Sequence, residues 1–270
     1  MTKLSEADSR VLWDVANGLA DAARAHTLRW FRHSDLSVES KDVNFDPVTQ
    51  GDRDAEAAMR AYLNDHRPMD GILGEEFGHQ EGRSGLTWVL DPIDGTRGFM
   101  SGTPTWGTLI ALSDERGPIL GVVDQPYIGE RFCGGLGRSE MVRAGAGVTV
   151  PLNSRTTSRL ADAVIFTTFP EVGSETERAA FQDLAAQTKL TRYGMDCYAY
   201  ALLAAGQIDL VVEAGLHTYD IQAPIALIEA AGGIVTDWTG GPAHQGGRAL
   251  AAANEDIHAA ALSVLRAQVS

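Results

Sequence analysis

The feature that most limits what this chain can become is an apolar run that stops on two aspartates, TWVLDPIDGTRGF. Trp88 to Leu90 read as a strand, and it ends at Asp91, stiff Pro92, Ile93, Asp94 and Gly95. Carboxylates beside a buried strand need compensating charge or hydrogen bonds, so chemistry is expected where the strand stops. Hard divalent cations take carboxylate and carbonyl oxygens, and Mg²⁺ binds one or two carboxylates while keeping water and phosphate as further ligands. Asp91 and Asp94 can converge on adjacent ions, with the Ile93 carbonyl exposed by the turn between them. Gly95 and Thr96 then offer backbone N–H groups at a helix start, where a phosphate oxygen can be held. The same residue types also form ordinary turns, and Asp94 fits a helix cap equally well.

Further acids stand beside apolar segments: Asp52 after VTQG, the Glu75–Glu76 pair closing GILGEE, and Asp220 in YDIQAP. Each alone passes as surface charge; jointly they do not. Ser5 to about Phe31 repeats Val11, Leu12, Val15, Leu19 and Ala22 at helical spacing, with Ser5 and Asp8 as a capping box. A second helix is expected from about Asp52. Apolar runs at 108–113, 117–126, 130–135 and 141–145, separated by Gly or Pro turns, predict an antiparallel sheet. Beyond about Val150 the pattern alternates: VIFTTF as strand, ETERAAFQDLAAQ and CYAYALLAAG as helices, DLVVE as strand, APIALIEAAGG as helix. IVTDW and LAAAN read as strands, and a closing helix starts at Asp256. Two subdomains are expected, 1–145 with most of the metal-type acids and 146–270 with Asp220 and the substrate-selecting residues.

Charge narrows the partners. With 22 Lys and Arg against 36 Asp and Glu, the net charge of −14 repels nucleic acid and anionic membrane and suits a metal or a cationic substrate. MTKLSEADSR lacks the basic and apolar pattern of a secretory signal, and no apolar run approaches a membrane-spanning length, so a cytoplasmic location is expected. Cys133 and Cys197, without zinc-type spacing, read as reduced core thiols. No serine nucleophile elbow, Walker motif or GxGxxG fingerprint is present.

GEE at 74–76, DPIDGT at 91–96 and YDIQAPIALIEAAGG at 219–233 resemble, in order and spacing, the signatures of the inositol monophosphatase-like metal phosphatases. KDVNFDPVTQGD, from Lys41 to Asp52, resembles that family's flexible metal loop. The resemblance implies an α/β (α+β) layered αβαβα sandwich of the inositol monophosphatase/fructose bisphosphatase type, a homodimer, and a phosphomonoesterase using two or three Mg²⁺ ions and a metal-activated water. It implies that Glu75, Asp91 and the Ile93 carbonyl bind a first ion, with Asp91 bridging to a second held by Asp94 and Asp220. Thr96 and Glu75 would orient the attacking water, Asp52 would help place a third ion or its waters, and the Gly95 and Thr96 amides would receive phosphate. Glu76 remains the alternative to Glu75.

TRGFMSGTPTWGTLIAL, with Arg97, Trp106 and Gly107, and the stretches GMDCY and YDIQA resemble the histidinol-phosphate phosphatase branch. The resemblance places Asp196 and Glu213 beside the organic part of the substrate, where two acids would favour the ammonium and imidazole of L-histidinol phosphate over inositol hydroxyls. Asp196 fits a helix N-cap before CYAYALLAAG as well, and His217, three residues before Asp220, has two readings, a contact to substrate or its water and, more commonly for a lone histidine near a strand end, a structural role. An inositol-1-phosphatase or broad sugar-phosphate phosphatase is the alternative, and a non-catalytic phosphate-metabolite-binding relative is a second.

Overall fold

The computed structural model describes residues 4–40, 47–143 and 147–269, apart from the side chains of residues 40, 47 and 269. Lys41 to Asp46, half of the expected metal loop, and the expected seam at 145 lie outside the described residues.

Helix α1 (Glu6–Trp30) opens on the Ser5–Asp8 capping box and buries Leu12, Ala16, Leu19 and Ala23 along one stripe. A hairpin, β1 (Val38–Ser40) and β2 (Pro47–Thr49), leads into α2 (Gln50–His66), which starts just before the expected Asp52. Then follow β3 (Gly71–Gly74), β4 (Gly78–Gln80), β5 (Thr87–Asp94), α3 (Thr96–Ser101), β6 (Gly107–Asp114), β7 (Gly117–Gln125), β8 (Glu130–Gly135), β9 (Arg138–Arg143) and β10 (Val148–Pro151). The C-terminal half runs β11 (Val164–Thr167), α4 (Glu175–Ala185), β12 (Leu190–Tyr193), α5 (Cys197–Ala204), β13 (Leu210–Leu216), α6 (Thr218–Ala230), β14 (Ile234–Thr236), β15 (Gly247–Ala252) and α7 (Glu255–Val269).

Side-chain alternation along the strands dictates the layers. Trp88 and Leu90 of β5, with Ile110 and Leu112 of β6, face α1 and α2. Val89, Leu109 and Ala111 face the other way, onto α5 and α6. In the second sheet Val211 joins that same inner layer, while Leu210 and Val212 pack under α4 and α7. The result is the five-layer αβαβα sandwich, with α5 and α6 between an eight-stranded sheet (β10-β9-β8-β7-β6-β5-β3-β4) and a five-stranded one (β12-β11-β13-β15-β14). The first sheet is the expected antiparallel meander except for one pair: β3 runs parallel to β5.

Helix α6 lies close on the first sheet because Gly121 and Gly134 leave it room. A Cβ at Gly121 would land on the Ala223 carbonyl, and one at Gly134 on the Leu227 backbone. This helix begins at Thr218 rather than at Ala223, which corrects the sequence expectation. Pro224 sits inside this helix, where it contributes no N–H to the helical ladder. Asp220 therefore belongs to the first helical turn. Cys133 and Cys197 are both buried and unpaired.

Candidate active site

Parallel pairing of β3 with β5 makes the two strands end side by side, Gly74 opposite Leu90. The next residues, Glu75 and Asp91, consequently emerge together, with the Glu75 N–H on the Leu90 carbonyl at 3.2 Å and a side-chain hydrogen bond between the two acids. Past Asp91 the pairing with β6 slips before resuming at Asp94 and Gly107. In that bulge the Ile93 N–H donates to Asp91 Oδ1 at 3.0 Å, and Thr96 Oγ1 donates to the Ile93 carbonyl at 3.1 Å. Gly95 caps α3 in the left-handed region at φ 81°, and a Cβ there would press on the Asp196 carboxylate, so glycine is required twice over.

Two carboxylate clusters result, each with oxygens within 4.8 Å of one another: Asp52 with Glu75 and Glu76, and Asp91 with Asp94 and Asp220. Glu75 joins them through Asp91, whereas the Glu76 N–H is turned to Glu56 Oε2 at 2.6 Å. Asp52 closes the start of α2, accepting from Thr49 N–H at 2.8 Å and Thr49 Oγ1 at 2.5 Å. Asp220 does the same at α6, accepting the His217 N–H at 2.7 Å. So many close carboxylates fit hard divalent ions, which take oxygen ligands and offset the mutual repulsion.

The second sheet supplies the opposite wall. Parallel β11 and β13 set Phe166 against Val211, which brings Thr167 and Thr168 to Glu213. Glu213 Oε1 accepts the Thr168 N–H at 2.6 Å and its hydroxyl at 2.8 Å, and Oε2 accepts Thr167 Oγ1 at 3.1 Å. Asp196 occupies the cap position of α5 but makes no capping bond with its side chain. Asp94 takes that role from across the cavity, its Oδ2 accepting the Cys197 N–H at 2.6 Å. Asp196 instead accepts from Thr105 Oγ1 at 3.2 Å and holds φ at 47°, a strained value for a non-glycine residue.

A cavity of about 370 Å³ is lined by Glu75, Asp91, Ile93, Asp94, Gly95 and Thr96 on one side and by Asp196, Glu213 and Asp220 on the other. Asp52 lies behind Glu75 in the adjoining cluster. Thr168, Phe169, Tyr200 and Tyr219 also line the cavity, and sequence reasoning missed them. Thr168 was hidden inside an apparent strand, and the aromatics looked like core. His217, for which a substrate contact and a structural role both stood open, lines the cavity too and stacks on Tyr219, ring centroids 5.1 Å apart.

Burial is the main reason the acids are reluctant to ionise. It raises Asp52 and Glu213 to about 7 each, against the hydrogen bonds they accept. Asp91 and Asp94 are pushed well above the usual carboxylate range by burial and then by neighbouring carboxylates. A carboxyl with a folded pKa above its unfolded value contributes stability below the unfolded pKa, lost as pH rises through the folded one. The metal-free protein should therefore lose stability between about pH 4 and 7, by up to ~1.4 kcal/mol per pH unit for each group titrating. Calorimetry in Mg²⁺ and in EDTA tests this. The Tm gap between the two should widen from pH 5.5 to pH 8, and a constant gap would mean the acids do not titrate against the metal.

The inositol monophosphatase family model matches residues 8–270. Among curated relatives, the chain is 41% identical to the Arabidopsis thaliana protein named bifunctional phosphatase IMPL2, chloroplastic, over 88% of this chain and 68% of the relative. It is 34% identical to a histidinol-phosphatase of Streptomyces coelicolor, over 90% and 92% of the two chains. Among solved structures, an inositol monophosphatase from Zymomonas mobilis is 36% identical, with TM-score 0.82, over 98% of this chain and 99% of that one.

Proposed function

This chain belongs to the inositol monophosphatase family of phosphatases, and from that premise we propose that it hydrolyses L-histidinol phosphate to L-histidinol and phosphate. The observation that carries the substrate is a further pair of cavity-lining acids that belong to neither cluster, Asp196 beside Gly95 and Asp94, and Glu213 on the second sheet. An ammonium or imidazolium would give both carboxylates a counter-ion and favour their ionised forms, which a neutral polyol does less well.

The acid clusters would hold Mg²⁺, which when bound neutralises phosphoryl charge and activates the attacking water. Glu75 and Thr96 orient that water, the Gly95 and Thr96 amides hold a phosphoryl oxygen, and Asp91, Asp94, Asp220 and the Ile93 carbonyl keep the ions in place. Asp52 steadies the outer cluster. The homodimer and the cytoplasmic location belong to the same proposal. Among the described residues, no helix is long and apolar enough to cross a membrane.

Inositol 1-phosphate is the second reading, favoured by the three hydrogen bonds Glu213 already accepts, which suit a polyol pocket, and by the likeness to the Zymomonas mobilis structure. Phosphate release with Mg²⁺ and with EDTA, on L-histidinol phosphate, inositol 1-phosphate, fructose 1,6-bisphosphate and 3′-phosphoadenosine phosphate, separates them. Histidinol phosphate should win in kcat/KM by about a hundredfold, roughly 2.7 kcal/mol of discrimination. Preference for inositol phosphate would sink the substrate assignment, and no release at all would point to a non-catalytic relative.

A further inference from the structure

One polar group in the cavity wall makes no hydrogen bond among the described residues. Tyr200, on α5, is 4% exposed, and its hydroxyl has no hydrogen-bond partner among the described residues. Leaving a buried hydroxyl unpaired is unfavourable, a cost that a phenylalanine at this position would avoid. The rest of the ring sits in an apolar layer with Ala199, Leu203 and Val211, so packing alone does not call for the oxygen.

The surroundings say what the hydroxyl could serve. Burial, and then the nearby Glu213, Asp94 and Asp220 carboxylates, keep the phenol protonated, so it is a donor with acceptors on several sides. Of these, Glu213 is the leading charged neighbour and lies outside both acid clusters. Its Oε1 is committed to two Thr168 donors, but Oε2 accepts only the Thr167 hydroxyl and has capacity for another.

We propose that Tyr200 is a positioning residue whose hydroxyl stays unpaired in the free site and donates to Glu213 once the organic part of a substrate engages that carboxylate. The bond makes the ionised carboxylate cheaper to bury at the moment it is needed. Free protein bears the cost of the orphaned group, and the loaded site recovers it. The inference rests on the reading of Glu213 as a substrate contact.

The test is Tyr200→Phe made in the natural chain and in a Glu213→Gln background, read three ways. Ligand-free Tm should be unchanged or higher, because a group without a partner is removed. KM for L-histidinol phosphate should rise about tenfold with kcat nearly constant, and L-histidinol binding followed by NMR should weaken by a similar factor. In the Glu213→Gln background both losses should vanish. A fall in ligand-free Tm would show that the hydroxyl is already bonded. An unchanged KM, or the same loss in both backgrounds, would also overturn the proposal. If the natural chain prefers inositol 1-phosphate, only the substrate assignment fails and the same cycle is read on that ester. If it turns over no ester, both fall.

Discussion

Asp91→Asn should lower kcat/KM for any phosphate ester by about a thousandfold or more, roughly 4 kcal/mol, while raising the Tm of the metal-free protein. Asp91 is 2% exposed and is the carboxylate through which the two acid clusters touch. An amide keeps the shape and the Ile93 N–H contact but removes the charge on which, in the proposed reading, metal binding at both clusters would depend. Without ions, burial and then the Glu75, Asp94 and Asp220 carboxylates make an ionised Asp91 unfavourable, and an amide avoids that cost. Phosphate release and calorimetry in EDTA check the two signs together. A variant with a near-natural rate would place the metal elsewhere.

Gly121→Val should be the most damaging change outside the cavity. Its side chain would meet the Ala223 carbonyl of α6, where backbone and not a flexible side chain is in the way. Overpacking against backbone costs about 3 kcal/mol or more, which for a chain of this size lowers Tm by roughly 6–12 °C. Because α6 also carries Asp220, activity below the melting range should fall as well. Thermal unfolding measures the first effect and phosphate release at 25 °C the second; an unshifted Tm would mean the helix stands off from the sheet.

The acid constellation was legible because its grammar is local: DPIDGT, GEE and YDIQAP each carry ligand-type residues beside an apolar run. The layering was implied by the family resemblance alone, and the structure shows what carries it: Trp88 and Leu90 face one side of the sheet and Val89 the other. What stayed hidden depends on pairing between distant segments. Nothing in the chain says that β3 runs parallel to β5, yet that choice puts Glu75 rather than Glu76 against Asp91. Similarly, Thr168 becomes meaningful only when β11 lies along β13, and Asp94 caps α5 across 103 residues. Short edge strands such as β4, β10 and β12 carried too little apolar pattern to be seen.

The cavity takes its two ends from different sheets: Glu75, Asp91 and Asp94 from the first, Thr168 and Glu213 from the second. On the proposed reading, reaction and recognition are therefore written on separate parts of the backbone, joined by α6 as a common strut. Drift at the C-terminal ends of β11 and β13 can retune which alcohol is released without disturbing the groups that cleave the ester. Such an arrangement makes the ends of β11 and β13 in the second sheet the natural place to begin redesigning the enzyme for a new phosphate.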